Sequence, residues 1–150
     1  MEPSHLSPDE LRAIYIKASP RQRYRVALDR IEYPGLGPSL LVNVVSALEG
    51  FARTVAVQVR LAKGESLDAA YAELRNVGPI QLIADHICPA YGTTPEGQFG
   101  EEAWASLPSA IKFRNLLVHE ATFMDGGAAA RLIGASRSVL DRLAHLSGAV

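Results

Sequence analysis

Proline and glycine cut the 150-residue chain into segments whose apolar positions recur every three to four residues, the spacing of helices that bury one face. The clearest of these runs from about 38 to 62. At about 100° per residue, Val44, Leu48, Phe51, Val55 and Val59 share one side. Asn43, Ser46, Glu49, Arg53 and Arg60 collect on the other, and Gly64 ends the helix. Ser7-Pro8-Asp9-Glu10 reads as a helix start, with Ser7 as cap, Pro8 in the first turn and two acids at the positive end of the dipole. This helix is expected to carry Leu11, Ile14 and Tyr15 inward. Pro20 opens another, through about Ile31, and Tyr33-Pro34-Gly35-Leu36-Gly37-Pro38 breaks it. Shorter helices are expected over 66–75 and 79–87, and a loop over 89–100.

A further helix is expected from about 108 to 123, starting near Ser106-Leu107-Pro108-Ser109, with Phe113, Leu116 and Leu117 as its core stripe. Asp125-Gly126-Gly127 reads as its stop. A last helix, from Ala128 to about His145, would bury Leu132, Ile133, Val139, Leu140 and Leu143. No stretch alternates with period two between hairpin turns. The expected fold is therefore all-α: a bundle in one domain over 1–150, with the N-terminal helices 8–31 as an extension.

Charge narrows the function classes. The net charge of −1 excludes a global field drawing the chain to nucleic acid or to an anionic membrane. Any RNA contact must come from a local cluster such as Lys17, Arg21, Arg23, Arg25 and Arg30, which reads first as a solvated helical face and only second as a phosphate-binding one. The single cysteine, Cys88, excludes a disulfide framework and CxxC zinc chemistry within one chain, and its apolar surroundings point to a buried structural thiol. The polar residues inside the 38–62 segment mark a core helix rather than a membrane span, and the N-terminus has no signal-peptide pattern. The expectation is a cytoplasmic protein with no membrane partner. No phosphate loop, GxSxG elbow or HExxH pair occurs. Asp85-His86-Ile87-Cys88 offers two ligands at most, so neither a metal nor a cofactor is expected.

The chemistry concentrates in Arg114-Asn115-Leu116-Leu117-Val118-His119. On a helix Asn115 and His119 stack on one face, about 6 Å apart along the axis. Arg114 is turned from His119 by about 140° but has a long side chain with which to reach the same groove. An imidazole, whose ordinary pKa is about 6.5, can take the proton of a ribose 2′-OH or give one to the departing 5′-oxygen. A guanidinium offers a fork of donors to phosphate oxygens, and asparagine can orient the phosphate or the imidazole. Cleavage needs both a base and an acid, and one histidine is half of that. A symmetric dimer would supply two. A histidine in the last turn of a helix is also what the helix dipole alone favours.

The run FRNLLVHEA resembles the Arg-Asn-x-x-x-His motif of HEPN domains, and SLLVNVVSALEGFARTVAVQV resembles the long core helix of that family. The resemblance spans roughly 38 to 146. It implies a helical bundle that dimerises about the motif helix and a metal-independent endoribonuclease of the toxin–antitoxin, phage-defence or RNA-processing kind, leaving 2′,3′-cyclic phosphate ends. By motif position Arg114 would bind phosphate, Asn115 would be the polar residue after it, and His119 the acid–base residue. Glu49 either supports the site from the core helix or forms an i,i+4 pair with Arg53. Some members instead act as non-catalytic modules that bind a protein or a nucleotide. An antitoxin protein accompanies others. A subgroup with nucleotidyltransferase antitoxins has tyrosine two places after the histidine, where this chain has Ala121.

Overall fold

A computed structural model describes residues 6–32, 38–120 and 124–150, and every element among them is helical. The segment with the clearest periodicity is α3, Pro38–Ala62, at its expected bounds. Its buried set is wider than the stripe read from periodicity: Leu41, Val44, Val45, Leu48, Phe51, Ala52, Val55 and Ala56 are all inside. The reason is its position. Helices before and after it in the chain pack around it, so α3 is the centre of the bundle rather than one wall. By length and composition Ser39–Ala62 would also pass for a membrane span, but more than half of its most apolar window is buried by this packing. Each fully buried Leu or Phe contributes about 1.5–3 kcal/mol.

Upstream, α1 (Pro8–Lys17) starts with the expected cap. The Glu10 N–H donates to Ser7 Oγ at 3.1 Å, and the Ser7 N–H donates to Glu10 Oε1 at 3.3 Å. Leu11 and Tyr15 are half-buried, but Ile14, expected inside, is 54% exposed. The residue that turns inward beside Tyr15 is Ile16. The next helix, α2 (Pro20–Glu32), lies along α3. Ala27 is buried, the Tyr24 ring sits 5.5 Å from that of Phe51, and the Tyr24 hydroxyl donates to Asp141 at 3.1 Å. The proline–glycine break at 33–37 lies outside the described residues.

Beyond α3, Ser66 caps α4 (Leu67–Leu74). The chain then starts α5 (Pro79–Gln81), widens into a π-helical turn over Leu82–Ile87, and tightens to a 3₁₀ turn over Cys88–Tyr91. Pro89 accounts for the change: in a regular helix its ring would strike the carbonyl four residues back. The wide turn, in which the Cys88 N–H reaches Ile83 O, brings Leu82, Ile83, Ile87 and Cys88 to the core together. Burial, with a smaller contribution from Glu96, pushes the Cys88 thiol up to about 11, as befits an inert structural cysteine. The interval expected to be a loop thus holds this 3₁₀ turn and also α6 (Pro95–Phe99), capped by Thr94. Gly100, at φ +85°, makes the sharp joint to the next helix.

That helix, α7 (Glu101–His119), differs from the expected 108–123. It starts seven residues earlier because Ala103, Trp104 and Leu107 pack against the core, Trp104 stacking on Phe99 at 5.9 Å. Pro108 sits inside the helix on its exposed side, where a missing N–H and a slight bend are tolerated. Residues 121–123 lie outside the described set. Asp125 does not stop α7. It caps α8 (Gly126–Leu146) by accepting from the Ala128 N–H at 3.1 Å. The buried stripe of α8, including Leu132, Val139, Leu140 and Leu143, closes the core against α3 and α7. Ile133 is only half-buried.

Candidate functional site

Helix geometry decides which motif residues meet. Leu107, Ala110, Arg114 and Leu117 follow one another at three- and four-residue steps and form the side of α7 that faces inward. Leu107 and Ala110 are fully buried, Arg114 has 12% of its side chain exposed, and Leu117 is half-buried. The arginine therefore crosses the seam between α7 and α3 instead of reaching into solvent. Its Nη1 donates to Ser46 Oγ at 3.1 Å, its Nη2 to Glu49 Oε1 at 3.4 Å, and its Nε to Asn115 Oδ1 at 2.7 Å.

Ser46 and Glu49 are three apart on α3, so both present oxygens to one guanidinium. Glu49 also lies 4.0 Å from the Arg53 guanidinium, so it touches both the i,i+4 arginine of its own helix and the motif arginine of α7. The shorter approach is to Arg114. Arg53 spends its strong bonds elsewhere, donating to Leu74 O at 3.1 Å, the last carbonyl of α4, and to Val77 O at 2.8 Å in the connection that follows. Arg114 and Glu49 thus form a charge-assisted pair at the seam, with the carboxylate about 29% exposed. Ser46 was visible in the sequence only as one of the polar positions of α3. Its partnership depends on which residue of α7 crosses it, and spacing along the chain carries no signal of that.

His119 lies elsewhere. It is exposed in the last turn of α7, on the side of Asn115, and has no side-chain hydrogen-bond partner among the described residues. The structure brings Arg114, Asn115 and Glu49 together and leaves His119 apart from them, one helical turn on and turned towards solvent. Around it the expected core stripe is inverted. Phe113 is 39% exposed, Leu116 38% and Val118 52%, so of the expected anchors Leu117 alone turns inward. Asn115 and His119 are four apart, which puts asparagine between the mostly buried guanidinium and the exposed imidazole.

A groove of about 610 Å³ opens beside this seam. Ser46 and Asn43 form its α3 wall, and Arg23, Asp29 and Arg30 line it from α2. Of the basic cluster, Lys17, Arg21, Arg25 and Arg30 are exposed and Arg23 is half-buried. Ala121, the position of the tyrosine in the antitoxin-controlled subgroup, lies outside the described residues. No group of three or more potential metal ligands occurs among the described residues, and His86 is a half-buried boundary residue. Comparison of the chain with models of known protein families, with characterised proteins and with solved structures finds no match. The functional reading rests on the residues themselves.

Proposed function

We propose that this chain is a HEPN-like, metal-independent endoribonuclease that cleaves single-stranded RNA at a cleft shared by two copies. One observation carries the reading. Arg114 is seated on α3 by Ser46 and Glu49, while His119, on the same helix, faces outward beside exposed Phe113, Leu116 and Val118. A polar residue on the inward face and apolar residues on the outward face suit a helix whose outer side meets a second copy. That meeting supplies two imidazoles. One takes the proton of the 2′-OH as its oxygen attacks phosphorus, closing the 2′,3′-cyclic phosphate. The other protonates the 5′-oxygen as its bond to phosphorus breaks. Arg114 offers donors to the non-bridging oxygens, and its longest bond, 3.4 Å to Glu49, is the easiest to exchange for phosphate. Asn115 steers the guanidinium.

The test is incubation of the purified protein with labelled single-stranded RNA in EDTA, followed by analysis of the ends. Cyclic phosphate ends are expected, with His119→Ala and Arg114→Ala each slowing cleavage by about 10³-fold or more. Cleavage retained by both variants overturns the assignment. A second reading draws on the same arginine. With Asn115, Ser46 and Glu49 all engaging it, Arg114 is also a lock between α3 and α7, as suits a non-catalytic module that binds a protein or a nucleotide. A dimer that leaves RNA intact would favour that reading. An antitoxin protein, if the chain is a toxin, would need a means of control other than a tyrosine at Ala121.

A further inference from the structure

Further along α3 than Ser46 and Glu49, α1, α2 and α4 border a cavity of about 330 Å³, within the size range of small-molecule sites. Its body is apolar: Leu11 and Ile16 of α1 face Val57 of α3, with Tyr15 and Tyr71 on the sides. Its charge has one sign. Arg12, Arg23 and Arg53 line it and no carboxylate does, in a chain with 16 acids and 15 Lys and Arg.

Arg53 is committed to the Leu74 and Val77 carbonyls and lies 4.0 Å from the Glu49 carboxylate, so it is largely satisfied within the protein. Arg23 is different. Its guanidinium lies 4.7 Å from the centre of the Tyr15 ring and has no ion pair or side-chain hydrogen bond among the described residues. Burial lowers its pKa, opposed by Tyr15 and reinforced by the cations Arg30 and Arg53. A half-buried guanidinium without an acceptor is costly unless an anion completes it. Gly50 makes the arrangement feasible. A Cβ there would stand 2.5 Å from Arg23 Nη2, so any larger residue would push the tip of this cation away from its present seat on α3.

We propose that this cavity binds a small amphipathic anion, an organic acid whose apolar body fills the space between Leu11, Ile16 and Val57 and whose acidic head meets Arg23 and Arg12. The tyrosines flank the body, and their hydroxyls add neutral donors. This site shares no residue with the Arg114–His119 motif and does not depend on RNA cleavage.

Two dyes of the same shape test it: the anion 1-anilinonaphthalene-8-sulfonate and the neutral N-phenyl-1-naphthylamine, titrated by fluorescence into the folded protein. One saturable anion site is expected. Arg23→Met, which keeps apolar packing on Tyr15, should weaken the anion about tenfold or more and leave the neutral dye within about twofold. Arg12→Gln, at an exposed position, should weaken the anion about threefold. Gly50→Ala should act in the same direction by displacing the Arg23 tip while the fold persists, as circular dichroism would check. Absence of saturable anion binding, equal loss of both dyes, or anion affinity unchanged in Arg23→Met overturns the proposal.

Discussion

The two halves of α7 follow opposite rules. Up to Ala110 the helix is conventionally amphipathic, with Leu107 and Ala110 buried and Pro108 and Ser109 exposed. Past it the sorting reverses, so that a guanidinium occupies the inward stripe while Phe113, Leu116 and Val118 face out. The first half is held by apolar burial. The second is held by the hydrogen bonds of Arg114 to Ser46 and Glu49 and by partial burial of Leu117. Turns where local rules fail while the rest of the chain obeys them are where functional or strained sites are expected. The reversal is also economical in space, since it puts a polar seam and an apolar surface within a single helix.

Leu107→Ala tests the first half and should have the largest effect. The side chain is fully buried, so truncation should cost about 2–5 kcal/mol in denaturant unfolding. Arg114→Ala tests the second. It leaves the Ser46 hydroxyl without its partner and the Glu49 carboxylate with only its longer contact to Arg53, and a loss of about 1–3 kcal/mol is expected. A loss below about 0.3 kcal/mol would mean that the polar seam does not hold α7, and the contrast between the halves would collapse. His119→Ala, at an exposed position without a partner among the described residues, should stay within about 0.5 kcal/mol of the parent protein. An RNase reading therefore expects two variants equal in lost cleavage but unequal in stability.

How much of this was legible beforehand depends on where the information resides. The bounds of α3 were readable because a proline and a glycine flank an uninterrupted apolar period. The all-α class followed from the same periodicity. The start of α7 was not, because Pro108 reads as a helix start, and only packing of Trp104 and Leu107 shows the helix continuing through it. The wide turn at 82–87 was hidden too: a π turn is a tertiary compromise between Pro89 and four core side chains. In the motif, residue types and spacing pointed to Arg114, Asn115 and His119, and Glu49 was visible as an acid on the polar side of α3. The outward turn of Phe113 and Leu116 is not legible in the sequence, because apolar residues at helical spacing carry no label for the face that wins. Here the deeper stripe of Leu107 and Ala110 sets the phase of the whole helix, and Arg114 falls on it.

The outward apolar face offers the last way to break the comparison. Phe113→Ser combined with Leu116→Ser removes two exposed side chains and touches neither Arg114 nor His119. If the reversal exists for a second copy, the doubly substituted chain should keep its unfolding free energy within about 0.5 kcal/mol in the monomer. It should elute as a monomer where the parent elutes as a dimer, and light scattering would give the masses directly. Cleavage should fall with dimerisation, because each copy retains its guanidinium but loses the second imidazole. A double variant that stays dimeric and active would show that this face is not the contact, and the cleft would have to be built from another side of the bundle. A variant that becomes monomeric yet cleaves at the parental rate would be more damaging, since one His119 would then suffice and the need for two copies would disappear.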